Sequence, residues 1–386
     1  MYIGVNNIAH KVNNCYVGVD GIARKVKAVY VGVDGKARVV WKSGTPIVSK
    51  LVSSIVHTKS VPGLGGSIGS TPYGYEFVQQ ENKFICNTKY VKIITVNEDG
   101  SISSLEKTSQ LDNDLENYWR DNILLLNNNM IYSLLTYVDY YRHFYFDNNT
   151  KTLYTKTLYV DSHVTPVCAL PDGKIMGIIL SKNAANYSLA VMYPDNNNQL
   201  TYSSYTVQKI HSEYSDDSCT MLTPNKGIVF EEYNTSQKKY IRPFIIEGTT
   251  FTMHNAIDVT SIGIYVCLLI KTIDKNHFII CSNTTMYYFS ISDDNKITLL
   301  DSLPLILGGS DMCRIGKTNS FVVTKTSTSE WKIYSFTDTN IIETSYTSSH
   351  SGSKGMNIFP FGNNGIIIFT LGEKSDDVKT IVETFE

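Results

Sequence analysis

From Thr45 onward the sequence is a succession of short β-branched and aromatic runs, broken roughly every 8 to 12 residues by Asn, Asp, Gly or Pro, and the runs fall into groups of four. One group occupies 167–170, 174–180, 188–193 and 199–207; the next occupies 219–222, 227–232, 239–247 and 250–259. Equivalent groups begin near Gly74, Asn122, Gly263, Asp311 and Gly355, and first strands taken near 74, 122, 166, 218, 263, 311 and 355 recur at intervals of 48, 44, 52, 45, 48 and 44 residues. A four-stranded propeller blade takes roughly 40 to 50 residues. The spacing therefore predicts an all-β chain whose body, 45–386, is a seven-bladed β-propeller. No segment sustains a helical period, and a turn or two around 112–119 is the one place where helix is expected.

A repeated turn supports this register. Glu98-Asp99-Gly100, Asp147-Asn148-Asn149, Asp195-Asn196-Asn197, Glu247-Gly248, Asp293-Asp294-Asn295 and Asp338-Thr339-Asn340 each separate a third strand from a fourth. These residue types tolerate left-handed backbone. The acidic loops lack the Asp-x-Asp-x-Asp-Gly spacing of a calcium site. The last group has three strands, 355–361, 365–371 and 377–385, and its fourth is expected from 46–57, closing the ring with an N-terminal strand that hides open sheet edges. On that arrangement the chain enters at the rim carrying the third-to-fourth turns, and the opposite face is left for binding.

Ahead of the body, residues 1–44 form a different module. A 14-residue unit is written three times, with Tyr2, Tyr16 and Tyr30, Gly4, Gly18 and Gly32, and Ala9, Ala23 and Ala37 in phase. Each copy reads as a β-hairpin with an Asn6-Asn7, Asp20-Gly21 or Asp34-Gly35 turn. Val19 should pair with Ile22 and Val17 with Arg24. A lone hairpin is marginal in water, so three in tandem should pack on each other or on a neighbouring chain. Charge is uneven as well. Residues 1–50 carry eight Lys or Arg against Asp20 and Asp34, a net +6, while the whole chain is −2, leaving −8 for the remainder. Arg24, Lys25 and Arg38 are the candidate attachment residues, with a solvated basic edge that blocks aggregation as the plainer reading.

Tandem Tyr-Val-Gly-Val-Asp-Gly-x-Ala-Arg-Lys-Val units ending at Trp41 resemble a repeat of structural proteins from phages and prophages of Firmicutes, often placed ahead of a propeller-like or receptor-facing domain. The first unit departs from the pattern at Asn6-Asn7 and His10, which suggests a cap. The resemblance covers residues 1 to about 43 and implies a virion protein, assembled in the bacterial cytoplasm in multiple copies per particle. The repeats would dock to other virion proteins on a tail, baseplate or fibre. Capsid decoration, a purely architectural propeller and, more remotely, a glycan-cleaving enzyme are the alternatives.

For the outward face, the candidate ligand-binding residues are Trp119, Tyr141, Arg142, His143, Tyr187 and Tyr214, all read as loop residues. Aromatic faces with nearby polar groups suit a host cell-wall glycan. The abundance of Tyr, 26 in the chain, allows a merely compositional origin. An acidic body argues against nucleic acid. No run approaches the roughly 18 apolar residues of a membrane span, and no signal-peptide region is seen. Cys168, Cys219, Cys267 and Cys313 recur at 51, 48 and 46 residues, which places all four in expected first strands. Small-residue packing explains them better than zinc, so neither metal nor cofactor is expected. Gly65-Gly66-Ser67-Ile68-Gly69 fits GxSxG but lies between Pro62 and Pro72, without the strand and helix of a nucleophile elbow. No enzyme activity is expected.

Overall fold

The computed structural model describes residues 2–5, 8–11, 16–19, 22–25, 28–33, 36–42, 47–60, 77–80, 83–87, 91–107, 123–126, 130–137, 140–147, 152–158, 162–170, 174–181, 187–194, 200–206, 219–233, 238–305, 310–325, 330–350, 356–371 and 377–386. The chain divides into two compact units, Met1–Ile47 and Val48–Glu386.

In the first unit Tyr2–Val5 pairs with Ile8–Lys11, Tyr16–Val19 with Ile22–Lys25, and Ala28–Val33 with Lys36–Lys42. The sequence repeat becomes a repeat of register. Gly4, Gly18 and Gly32 lie opposite Ala9, Ala23 and Ala37, and Val5 and Val19 lie opposite Ile8 and Ile22. In the third hairpin a register shift between Val29 and Tyr30 sets Trp41 opposite Val29.

The described residues of the second unit form seven antiparallel sheets. Six are simple meanders, spanning 77–107, 123–158, 162–206, 219–258, 269–304 and 310–347. The seventh orders Met356–Phe361, Gly365–Leu371, Asp377–Phe385 and then Leu51–Ser60. The strand added from the N-terminal side thus starts at Leu51, later than the expected 46, and reaches Ser60. Its register runs from Leu51 opposite Phe385 to Ser60 opposite Asp377. The fourth sheet also departs from expectation, since its outer strand breaks into Thr250–Met253 and Ile257–Asp258. Pro243 on the neighbouring strand explains the break: it offers no N–H to the ladder, only its carbonyl, which accepts from His254 N at 2.9 Å. The first strand of the fifth sheet begins at Leu269 and not near Gly263, because 259–268 forms a connection with a 3-10 turn at Thr260–Ile262. The 112–119 segment lies outside the described residues.

Second strands are apolar at successive positions because both of their faces are buried. In the seventh sheet Ile366 and Ile368 pack with Trp331 and Ile333 of the sixth, while Ile367 and Phe369 pack with Phe84 and Ile94 of the first. Phe278 and Ile280 of the fifth sheet join Phe230 and Ile241 of the fourth, and Ile279 and Cys281 join Phe321 and Tyr334 of the sixth. Met176 and Ile178 of the third meet Val229 and Phe244 of the fourth. Ile123–Leu126 of the second sheet runs beside Phe77–Gln80 and Ser162–Ala169. Contacts therefore pass from each sheet to the next and return from the seventh to the first. Each fully buried large apolar side chain contributes roughly 1.5–3 kcal/mol.

Polar groups seal the seam between the first and seventh sheets. Thr380 Oγ1 donates to Gly100 O at 2.8 Å, His57 Nε2 to Asp99 O at 3.0 Å, and Lys59 Nζ to Ile102 O at 2.8 Å. Three of the repeated turns use left-handed backbone at the expected kind of residue: Gly100 (φ 85°), Gly248 (φ 62°) and Asn295 (φ 64°). At Gly100 a Cβ would also overlap the Val382 side chain, whereas at Gly248 it would meet nothing within 4 Å. Gly248→Ala should therefore cost about 1 kcal/mol of backbone strain, and Gly100→Ala about 2–4 kcal/mol through strain plus overpacking. Urea unfolding of both variants checks this; equal losses would mean that Gly100 is not a contact point of the seam.

Candidate functional site

The sequence-predicted ligand residues do not form one described cluster. Tyr141, Arg142 and His143 belong to the strand Tyr140–Asp147 and not to a loop. The ladder continues to Tyr137 opposite Tyr140, because the aromatic run on either side favours strand. Thr136, Leu135 and Leu134 lie opposite Tyr141, Arg142 and His143 on one side, and Leu158, Thr157 and Lys156 on the other. Tyr187 opens the strand Tyr187–Pro194, opposite Leu180. Trp119, Tyr214 and the 65–69 motif lie outside the described residues. In the first unit Arg24 and Arg38 sit opposite Val17 and Val31, and Lys25 opposite Tyr16.

On the described part of the expected binding face, one exposed surface is the connection between the fourth and fifth sheets. Val259 N donates to Lys239 O at 2.9 Å, and Lys239 N to Thr260 Oγ1 at 2.7 Å, pinning the connection to the third strand. A Lys238–Asp258 ion pair at 3.0 Å adds a polar edge. Gly263 turns the chain at φ 89°, next to the Tyr287 hydroxyl. The anchored loop buries Val259, Ile264 and Cys267 and projects Ile262 and Tyr265, the latter 62 % exposed. Sequence reasoning missed Tyr265 by assigning it to a strand; the neighbouring Gly263 was the available signal of a turn. An exposed aromatic face on an anchored connection can stack on a polar ligand.

Two buried carboxylates lie elsewhere. Glu231 receives both of its bonds from Arg242 Nε, at 3.1 and 3.0 Å, and the same guanidinium donates to His254 O at 3.0 Å, in the gap left by the broken strand. Glu383, between the sixth and seventh sheets, accepts from Ser348 Oγ at 2.7 Å, Ser349 N at 2.8 Å and the Tyr346 hydroxyl at 3.1 Å. Burial pushes both carboxyls above the usual range, against the lowering effect of these hydrogen bonds. His350 is also buried there, its ring 5.7 Å from Trp331 and its Nε2 without a hydrogen-bond partner. Burial holds its imidazole below the ordinary value.

Asp274 and His277 form a carboxylate–imidazole pair, with His277 Nδ1 2.9 and 3.0 Å from the two carboxylate oxygens. Cys168, Cys219 and Cys313 lie in first strands, while Cys267 precedes its strand by two residues, correcting the fourfold register. Burial pushes the Cys168 thiol up to about 12 and Cys219 well upward, so neither is a ready thiolate ligand. Among the described residues no group of three His, Cys, Asp or Glu is placed to hold a metal. No described helix is long and apolar enough to cross a membrane.

The Glu383 site sets a sign for pH dependence. A carboxyl whose folded pKa is raised gives its full contribution below the unfolded value, near 4.3, and loses it as pH rises through the folded value. Glu383→Gln should therefore gain stability relative to the parent as pH rises from about 4 to 7. Urea titrations at the two ends measure the difference; a pH-independent difference would show that Glu383 does not titrate abnormally.

No protein-family model and no curated protein matches the chain. Among solved structures, it is similar to a candidate 6-phosphogluconolactonase from Bacteroides uniformis, with TM-score 0.51 and 12 % identity over 70 % of this chain and 84 % of that one. It is also similar to YCF48 bound to a D1 peptide, with TM-score 0.50 and 7 % identity over 86 % and 97 %. The β-propeller domain of Myceliophteria thermophila Cps50 aligns at TM-score 0.43 and 8 % identity over 84 % and 99 %. At such identities the likeness is one of fold alone. With its closed succession of antiparallel sheets, the chain is an all-β protein with a β-propeller fold.

Proposed function

We propose that this chain is a structural protein of a phage or phage-derived particle, in which the hairpin unit docks to other virion proteins and a seven-bladed propeller is displayed toward the host surface. Each of the seven sheets is one blade on this reading, with Leu51–Ser60 as the closing strand of the last. The observation that carries it is the division of labour along the chain: three register-matched hairpins in a unit of their own, followed by an all-β body. The basic residues Arg24, Lys25 and Arg38 fall within the hairpins, and the acidic balance falls in the body. Labelled antibody against the chain should decorate purified particles in electron micrographs. Recovery of the chain only outside the particle fraction would overturn the reading.

Attachment through the repeats has a charge signature. Arg24, Lys25 and Arg38 changed together to Glu should lower incorporation into particles, and the residual incorporation should weaken further with salt. Incorporation at normal occupancy, measured by quantitative blotting of purified particles, would remove the hairpin unit from the docking role.

For host contact, Tyr265 joins Trp119 and Tyr214 as candidate stacking residues. Each ring on a sugar contributes about 1 kcal/mol, so binding by a single copy is weak and depends on many copies acting together. Tyr265→Ala should reduce adsorption of particles to host wall glycan while leaving the unfolding midpoint unchanged. Normal adsorption by Tyr265→Ala would exclude this connection from the contact surface.

A further inference from the structure

We propose that residues 348–350, where the chain leaves the outer strand of the sixth sheet, are an acid-released latch on the seam between the sixth and seventh sheets. The segment follows Ile341–Thr347 directly and is tied down by three hydrogen bonds. Ser348 Oγ donates to Glu383 Oε1 at 2.7 Å, Ser349 N donates to the same oxygen at 2.8 Å, and His350 N donates to Ser348 Oγ at 3.1 Å. Glu383 belongs to Asp377–Phe385, so the ties cross from one sheet to the next.

What the ties hold in place is an imidazole. His350 is 2 % exposed, and its ring lies 5.7 Å from that of Trp331, a buried side chain of the sixth sheet. Among the described residues its Nε2 has no hydrogen-bond partner. The other histidines whose side chains are described are placed differently: His57 reaches Asp99 O at 3.0 Å, His254 reaches Asn295 Nδ2 at 3.2 Å and His277 reaches Asp274 at 2.9 Å. None of these three is buried. A neutral ring packs at position 350 as any aromatic side chain would, whereas an imidazolium carries a second N–H and a charge, both of which call for water or an acceptor. The face of Trp331 attracts a cation, but less strongly than the hydration that a buried cation gives up.

The titratable groups around the latch are Glu383 on the seventh sheet and, on the sixth, Tyr346 and Cys313, which pack with Trp331. Glu383 spends its oxygens on Ser348, Ser349 and Tyr346. Lys332 and Glu343 of the sixth sheet pair with each other, and His57 and Lys59 of the closing strand turn to the first sheet. Burial is the cause that holds the His350 imidazole below its ordinary value. Such a base gives its full contribution above about pH 6.5 and loses it as pH falls through the folded value. Glu383 runs the other way, because its raised carboxyl takes up a proton in place, where the Ser348 and Tyr346 hydroxyls can accept from it as well as donate to it. Of the two groups, the imidazole is the one that favours opening in acid. Release would uncover Trp331 and the apolar cluster it shares with Val48 and Phe385, so the first residue of the body and its last strand both border the latch.

In the full chain labelled with 5-fluorotryptophan, the Trp331 resonance is identified among the three tryptophans by its loss in Trp331→Phe. Between about pH 7.5 and 4.5 that resonance should move toward the position of solvent-exposed tryptophan, with a midpoint below about 6.5 and an unchanged far-ultraviolet circular dichroism. His350→Phe should abolish the movement, and Glu383→Gln should retain it. Absence of movement in the parent chain would overturn the proposal, as would movement that survives His350→Phe, disappears in Glu383→Gln or comes only with loss of the circular dichroism signal. Should His350→Phe fail to fold, His350→Gln decides in its place: a resonance that no longer responds to acid supports the latch, and one that still responds rejects it.

Discussion

The ladder between Leu51–Ser60 and Asp377–Phe385 is the interaction on which the rest of the body depends. It joins residues more than three hundred positions apart in sequence and completes a sheet that otherwise has three strands. It also presents Lys59 and His57 to the first sheet, so one ladder both finishes the seventh sheet and tethers it to the first. Loop-closure entropy grows only with the logarithm of length, so so distant a pairing costs little more than a shorter one. Its penalty is kinetic. Non-local strand pairing is slow to form.

The same constraint explains where polarity is tolerated inside. Val48, three residues before the closing strand, lodges between the sixth and seventh sheets, its N–H donating to Ser320 Oγ at 2.9 Å and its carbonyl accepting from Ser335 Oγ at 2.5 Å. Ser320 and Ser335 are themselves hydrogen-bonded at 2.7 Å. Small hydroxyls satisfy a buried main chain that would otherwise carry open donors and acceptors. Glu383 is handled differently, by a hydroxyl, a phenol and an amide without a cation, which leaves a carboxyl that burial drives toward its neutral form.

Much of this architecture was legible in the sequence because burial on both faces writes itself as unbroken apolar runs. Gly365–Leu371 and Asp377–Phe385 coincide with the runs read from sequence, and Gly100, Gly248 and Asn295 mark turns that need left-handed backbone. What was not legible depended on partners distant in sequence. Tyr141 to His143 looked like a polar loop, yet a ladder on each side holds them in a strand. The break at 254–256 is written in Pro243, on the neighbouring strand. Tyr265 is exposed because Val259, Ile264 and Cys267 anchor the connection around it. Glu383 could have been placed by parity, since Ile381 and Phe385 on the same face both enter the core.

Closure also determines how a load on the N-terminal side would be carried. If the hairpin unit is the anchor, tension enters the body at Val48 and meets, in order, the Ser320–Ser335 pair, the main-chain bonds of Ser49, Lys50 and Glu386, and then the long ladder. A pull along the strand loads the ladder's bonds together, which resists better than opening them one at a time. The C-terminal residue shares that anchorage, with Glu386 bonded through its carbonyl, its N–H and its side chain to residues 49 and 50. Leu51–Ser60 and Asp377–Phe385 thus share one sheet, so a load on the first is passed directly to the second and not to the connections between the other sheets.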